Sequence, residues 1–231
     1  MEPEGKAPVS RVVRSKDQAR ASYDSMSRIY DWLAGSSEWK FIARGIGQLA
    51  ARPGECILEI GFGTGKSLLE LARAVGPRGS VEGIDISPGM LSVAAARVAD
   101  AGLGEGVQLQ VGDGAALPYE DGRFDAVFMS FTLELFDTPE MPVVLAECRR
   151  VLRPGGRLGV VSMQMDDRRS LMTRLYAWAH EHYERFVDCR PIHVEPTIRS
   201  AGFEVLDVIH MRMWGLPVSS VLARRIGARS A

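Results

Sequence analysis

Short, nearly uninterrupted apolar runs alternate along this chain with stretches whose apolar residues fall three and four positions apart. The first pattern reads as a strand buried on both faces, the second as an amphipathic helix. The runs "ECILEI" (55–60), "SVEGIDI" (80–86), "VQLQVGD" (107–113), "FDAVFMSF" (124–131) and "RLGVVSM" (157–163) predict strands. Between them "KSLLELARAV" (66–75), "GMLSVAAARVADAG" (89–102) and a segment from Thr138-Pro139 to Leu152 predict helices. Ser87-Pro88 supplies an N-cap followed by a proline at the first helical position, and Pro154-Gly155-Gly156 predicts a turn. Upstream, residues 19–50 carry helical spacing that Gly35-Ser36-Ser37 should break into two helices.

Five strand–helix alternations imply right-handed crossovers and a mostly parallel sheet with helices on both faces. The rhythm then changes. Residues 166–190 read as a long helix plus a loop, and 192–201 as a further helix. "FEVLDVIHMRM" and "PVSSVLARR" are separated only by Trp214-Gly215-Leu216, too short for a parallel crossover, so they predict an antiparallel hairpin at one sheet edge. The expected fold is α/β: a doubly wound, Rossmann-like seven-stranded sheet, mostly parallel with the last strand antiparallel. Residues 1–17 read as a flexible tail. Residues 18–231 read as a single domain, with leading helices over 18–52 and a cap over 166–201.

Composition narrows the function classes. With 231 residues, 46% hydrophobic and 25% charged, and a net charge of −1, the chain fits one soluble domain and disfavours a nucleic-acid partner. Cys56, Cys148 and Cys189 are odd in number, far apart and without a Cys-x-x-Cys pair, which argues against a disulfide framework and a thiolate metal site. A cytoplasmic location fits them, and the polar N-terminus carries no secretory pattern. No apolar run reaches the roughly 18 residues of a transmembrane segment. Peripheral membrane contact and oligomeric state stay open. His180-x-His182 points its side chains about 200° apart on a helix, so that pair is not a metal site.

The chemistry concentrates in "LEIGFGTGKS" (58–67). A triphosphate-binding loop needs a glycine where Ile60 stands. The dinucleotide pattern needs its third glycine where Lys66 stands, whereas this chain has Gly61-x-Gly63-x-Gly65. Such a loop lets backbone approach a ligand closely without aiming a full helix N-terminus at two phosphates. It suits a nucleoside carrying an amino-acid tail. Asp85 closes the second strand, twenty positions after Gly65, where a carboxylate accepts from both ribose hydroxyls. Asp113 ends the third strand in matching register and can reach the exocyclic amine of an adenine, with Ile86 and Met90 on either side of the ring.

The segments "LEIGFGTG", "VEGIDISPGML", "VGDGAALPYEDGRFDAVFMSFTLELF" and "VLRPGGRLGVV", with the final hairpin, resemble those of class I S-adenosylmethionine-dependent methyltransferases. The resemblance spans Tyr23 to Arg225 and looks nearest to the ubiquinone/menaquinone C-methyltransferase group and related small-molecule and phospholipid methyltransferases. It implies S-adenosyl-L-methionine as cofactor. Glu59, Gly61, Gly63, Thr64, Gly65 and Ser130 would then surround its methionine part, Asp85 the ribose, and Asp113 with Gly114 the adenine. Tyr23 and Tyr30 would close over the amino-acid end; their plainer reading is aromatic packing.

Methyl transfer from a sulfonium needs alignment above all, and a general base only where the acceptor loses a proton. Quinone C-methylating relatives typically carry an arginine after the fourth strand; this chain reads Ser130-Phe131-Thr132-Leu133-Glu134. Glu134 is thus a candidate base or amine-attracting group, or else a solvated residue at a helix start. His182, with Tyr176, Trp178 and Tyr183, is a candidate in the cap over the acceptor. The implied acceptor is small or lipophilic, quinol-like or aromatic. A phospholipid or amine N-methyltransferase is the alternative within the class, and a catalytically silent cofactor-binding regulatory protein the alternative outside it.

Overall fold

A computed structural model of the chain describes residues 9, 11, 12, 15–26, 35–165 and 190–227. Helices α1 (Lys16–Met26) and α2 (Gly35–Leu49) precede β1 (Cys56–Ile60). There follow α3 (Lys66–Val75), β2 (Ser80–Asp85), α4 (Pro88–Asp100), β3 (Val107–Val111), β4 (Phe124–Ser130), α5 (Met141–Val151), β5 (Leu152–Met163), α6 (Val194–Ser200), β6 (Phe203–Met213) and β7 (Leu216–Arg225). The strands form one seven-stranded sheet in the order β3-β2-β1-β4-β5-β7-β6. β7 pairs antiparallel with both β5 and β6, and the remaining pairs are parallel, so β7 alone runs against the others. The order reverses at β1 and β4, placing the ligand crevice of an open α/β sheet at the carboxyl ends of β1, β2 and β4.

Alternation along the strands feeds two cores. Leu58, Ile60, Val127 and Met129 pack on the face covered by α5 and α6. Ile57, Ala126 and Phe128 pack on the face covered by α2, α3 and α4, against Phe41, Leu49, Leu68, Leu71 and Ala94. α3 buries Ser67, Leu68, Leu71, Ala72 and Val75, one stripe of a 3.6-residue period. α4 begins as its sequence predicts: the Ser87 hydroxyl accepts from Met90 N at 3.0 Å, with Pro88 next. Asp24 of α1 reinforces that end, accepting from Ser87 Oγ at 2.5 Å and Gly89 N at 2.9 Å.

Four boundaries differ from the expectation, each for a local reason. α5 starts at Met141 rather than Thr138; a start at Thr138 would require an amide proton that Pro142 lacks. β5 starts at Leu152, which pairs with Phe124 before the register jumps to Ala126↔Arg157, so Pro154-Gly155-Gly156 bulges within the strand instead of preceding it. α6 begins at Val194 because Ile192 is spent as an extension of the sheet, its N–H donating to Met163 O and its carbonyl accepting from Met165 N. Residues 11–16 include docked positions: Arg11 chelates Asp137, and α1 begins at Lys16.

Candidate active site

The loop between β1 and α3 is built around three glycines at positive φ, Gly61 (72°), Gly63 (52°) and Gly65 (83°), which side-chain-bearing residues adopt only with strain. Each glycine answers a different neighbour. A Cβ on Gly61 would lie 2.5 Å from Thr132 Cγ2, and one on Gly65 would lie 2.9 Å from Ala94 Cβ. A Cβ on Gly63 meets nothing within 4 Å, and Gly63 lines the pocket. Gly61 and Gly65 thus serve packing, and Gly63 keeps ligand space open.

Asp85 braces this loop. Its Oδ2 accepts from Gly63 N at 2.9 Å and its Oδ1 from Ser87 N at 2.9 Å. Burial pushes its carboxyl up, against the pull of the Ser87, Gly63 and Ile86 amides. A carboxylate has about four lone-pair sites, so these amides leave it capacity to accept from a ligand's hydroxyls. Arg97 of α4 fixes the other side of the loop, donating to Thr64 O at 2.6 Å and Thr64 Oγ1 at 2.9 Å.

One pocket gathers Gly61, Gly63, Thr64, Asp85, Ile86, Met90, Asp113, Gly114 and Ser130, nine of the residues expected around the cofactor. Gly114 is required where it stands, since a Cβ would lie 2.9 Å from Ile60 Cγ2 and 3.0 Å from Phe136 Cζ. Asp113 accepts from Ala115 N at 2.9 Å and pairs with Lys16 Nζ at 2.6 Å; Lys16 also reaches Glu140 at 2.7 Å. Arg11 holds the Asp137 carboxyl down at about 2.

Two expected cofactor residues stand behind the wall instead of in it. Gly65 packs on Ala94. Glu59 is fully buried, accepts from Ser67 Oγ through Oε1, and has no hydrogen-bond partner for Oε2 among the described residues. Burial pushes its carboxyl up to about 8, offset in part by Ser67 and raised further by Asp85. The serine of Gly65-Lys66-Ser67 is therefore a strut for the β1 acid. Tyr23 lies in α1 with its side chain outside the described residues, and Tyr30 and His182 lie wholly outside them.

Glu134 is corrected. It neither lines the pocket nor faces solvent. Phe131, at φ 50°, turns the chain after β4, and a single 3₁₀ turn then buries Glu134 completely. Its Oε1 accepts from Met163 N at 3.1 Å, and Oε2 has no hydrogen-bond partner among the described residues. Burial pushes the carboxyl up to about 7. A second buried group, Arg190, staples the same turn by donating to Glu134 O at 3.1 Å, Phe136 O at 2.5 Å and Thr138 Oγ1 at 3.0 Å.

The residues that sequence reasoning missed come chiefly from α2. Glu38, Trp39 and Ile42 line the pocket, as does Lys66 at the start of α3. Burial pushes the Glu38 carboxyl up to about 7, against the pull of Lys66. The available signal was an acid on the same helical face as Trp39 and Ile42 (i, i+1, i+4). Among the described residues no group of three His, Cys, Asp or Glu side chains could hold a metal ion, and no helix is long and apolar enough to cross a membrane.

Comparison with known proteins agrees with this geometry. A family described as a methyltransferase domain matches residues 57–156. A nocamycin O-methyltransferase of Saccharothrix syringae is 40% identical over 60% of this chain and 48% of its own length. A demethylmenaquinone methyltransferase of Symbiobacterium thermophilum is 38% identical over 61% and 54%. The chain thus spans about half the length of these curated relatives. In fold it is similar to a SAM-dependent methyltransferase from Aquifex aeolicus, at TM-score 0.67 and 21% identity, covering 88% of this chain and 98% of that one. It is also similar in fold to the [4+2]-cyclase SpnF, at TM-score 0.75 and 21% identity, covering 96% and 100%. The sheet order with β7 reversed, the glycine loop braced by Asp85, and the matched domain agree: residues 57–156 are a methyltransferase domain, and the chain around them is similar to class I S-adenosylmethionine-dependent methyltransferases.

Proposed function

We propose that this protein transfers the methyl group of S-adenosyl-L-methionine to a small or lipophilic acceptor of quinol-like or aromatic character. The observation that carries the reading is Gly63: its positive φ and the open space beside it form a cradle that a Cβ would fill, directly beneath the Asp85 carboxylate. Turn glycines such as Gly54 and Gly122 share that φ range and open surroundings; Gly63 differs from them in lining the pocket together with Asp85. When bound, the cofactor supplies a methyl group on a positively charged sulfur and leaves as a thioether. The chain's own residues bind and orient. Asp85 offers its remaining lone pairs to the ribose hydroxyls. Ile86, Met90 and Gly114 line the same pocket and would contact the adenine. Ser130 and Thr64 stand at the methionine end.

The acceptor side draws support from two sources. Trp39, Ile42, Phe131, Leu135 and Phe136 give this pocket an apolar, partly aromatic wall, which suits a flat or lipophilic molecule. The relatives named for an O-methyl and a quinone-type transfer match over 60% and 61% of this chain. The fold alone would not decide, since a [4+2]-cyclase shares it. The test is twofold. Calorimetry should show S-adenosyl-L-methionine binding, and incubation with methyl-labelled cofactor should transfer label to a hydroquinone or phenol. Binding without transfer to quinol, amine or phospholipid acceptors would favour a silent regulatory protein.

A further inference from the structure

We propose that Glu38 is the general base of the methyl transfer, taking the proton that a hydroxyl or carbon-acid acceptor loses as it is methylated. The inference rests on the reading above and assigns a role within that site. It begins with an inventory of the carboxylates that line the pocket: Glu38, Asp85, Asp113, Asp137 and Glu140.

Four of the five are committed. Asp85 holds Gly63 N and Ser87 N. Asp113 holds Ala115 N and the Lys16 ammonium. Asp137 holds Arg11, Val12 N and Thr138 N. Glu140 shares Lys16. Of these, Asp85 and Asp113 belong to the nucleoside end of the slot. Glu38 differs on both counts. It comes from α2 beside the apolar wall of Trp39 and Ile42, and no hydrogen bond from the described residues holds its carboxylate. Two charged groups act on it. Lys66 of α3 favours its ionised form, and Glu134, in the turn after β4, opposes it. Burial outweighs Lys66 and brings the carboxyl to about 7, where a base is about half ionised at neutral pH and basic enough to bind a proton.

The step balances. The acceptor's O–H (or C–H) bond breaks and its proton passes to a Glu38 carboxylate oxygen. The electron pair left on the acceptor forms the new bond to the methyl carbon. The carbon–sulfur bond breaks with its pair kept by sulfur, so the sulfonium becomes a neutral thioether. Glu38 then returns the proton to water.

The experiment uses the full chain as wild type, Glu38→Gln and Glu38→Asp, each checked for native circular dichroism. Calorimetry measures S-adenosyl-L-methionine affinity. Turnover is followed with 2-methyl-1,4-naphthohydroquinone and catechol, which lose a proton on methylation, and with N,N-dimethylethanolamine, whose free-base form carries no proton at nitrogen to lose. The expected result is cofactor affinity within twofold of wild type for Glu38→Gln, a kcat lowered by about 100-fold or more, and partial activity for Glu38→Asp. The acid limb of the wild-type pH–kcat profile, near 7, should vanish in Glu38→Gln. Wild-type kcat in Glu38→Gln overturns the assignment. So does a tenfold or greater loss of cofactor affinity, which would place Glu38 on the cofactor's ammonium. So does a wild type that methylates only the tertiary amine. A wild type that binds cofactor and methylates none of the three defeats the proposed function itself, and with it the need for a base.

Discussion

Adding one methyl group to Gly61 and, separately, to Gly63 should harm the protein in two different ways. Both residues sit at positive φ, 72° and 52°, so alanine at either carries the left-handed penalty of about 1–2 kcal/mol. The surroundings then diverge. At Gly61 the new Cβ is driven into the Thr132 side chain, 2.5 Å from Cγ2 and 3.0 Å from Cβ, and Thr132 is itself buried between the loop and β4. Overpacking of that kind costs about 1–3 kcal/mol more. Gly61→Ala should therefore lose about 2–5 kcal/mol of a total near 5–15 kcal/mol, and Gly63→Ala only the backbone term. Urea unfolding should separate their midpoints by about 0.5–1.5 M at a slope near 2 kcal/mol per M. Calorimetry should show the complementary result: Gly63→Ala stays folded yet loses most cofactor affinity, because its methyl group projects into the ligand's space. Adding Thr132→Ala to Gly61→Ala should recover part of its stability and none of the affinity of Gly63→Ala. Equal midpoints for the two single variants would refute the packing argument. Undiminished affinity in Gly63→Ala would reduce the loop to a turn.

Three further outcomes are expected. Asp85→Ala should weaken S-adenosyl-L-methionine binding by about 1.5–3 kcal/mol; it should also lower the thermal midpoint, since Gly63 N and Ser87 N both lose their acceptor. Glu59 and Glu134, raised from 4.5 to about 8 and about 7, hold protons in the fold that the unfolded chain has already released. Their contribution to stability is whole below 4.5 and is lost as pH rises through 7 to 8, by up to about 1.4 kcal/mol per pH unit for each group; urea titrations of Glu59→Gln should show a flatter profile than wild type. Lys16→Ala should leave stability within about 1 kcal/mol and raise cofactor affinity by up to about fivefold, because it frees Asp113 from a half-exposed ion pair; unchanged affinity by calorimetry would remove Asp113 from the adenine's contacts.

What could be read along the chain and what could not divide by the range of the interaction responsible. Strand and helix periods, the Ser87-Pro88 start of α4 and the positive-φ glycines of the loop are set by neighbours in sequence, and the structure has them where the pattern put them. The carboxyl-end position of Asp85 follows from parallel pairing alone. Glu134 shows the opposite case. Its neighbours in sequence gave no sign of burial, because its partner is the amide of Met163, 29 positions away on β5. The positive φ of Phe131, which aims the turn inward, falls on a residue type that announces no such conformation. Glu38 escaped notice for a related reason. An acid on an amphipathic helix normally marks the wet face, and only the packing of α2 over β4 and β5 turns this one toward the pocket.

The charges around the pocket also explain why residues 11–16, polar in sequence, are ordered where they are described. Asp113, Asp137 and Glu140 follow β3 and β4 and bring negative charge to the pocket. Arg11 and Lys16 answer it with ion pairs of 2.6 to 2.7 Å. The stretch is too short for a hydrophobic period to have revealed the docking, which ion pairs supply together with the half-buried Val9 and Val12. Arg11 is 66% exposed and Lys16 43%, so each pair is worth about 0–1 kcal/mol and is screened by salt. The buried supports of the glycine loop, Asp85 on Gly63 and Ser67 on Glu59, lie out of reach of such screening. Part of the pocket's rim is thus held by contacts that small changes in salt or ligand can shift, while the glycine loop is held by hydrogen bonds of largely buried groups.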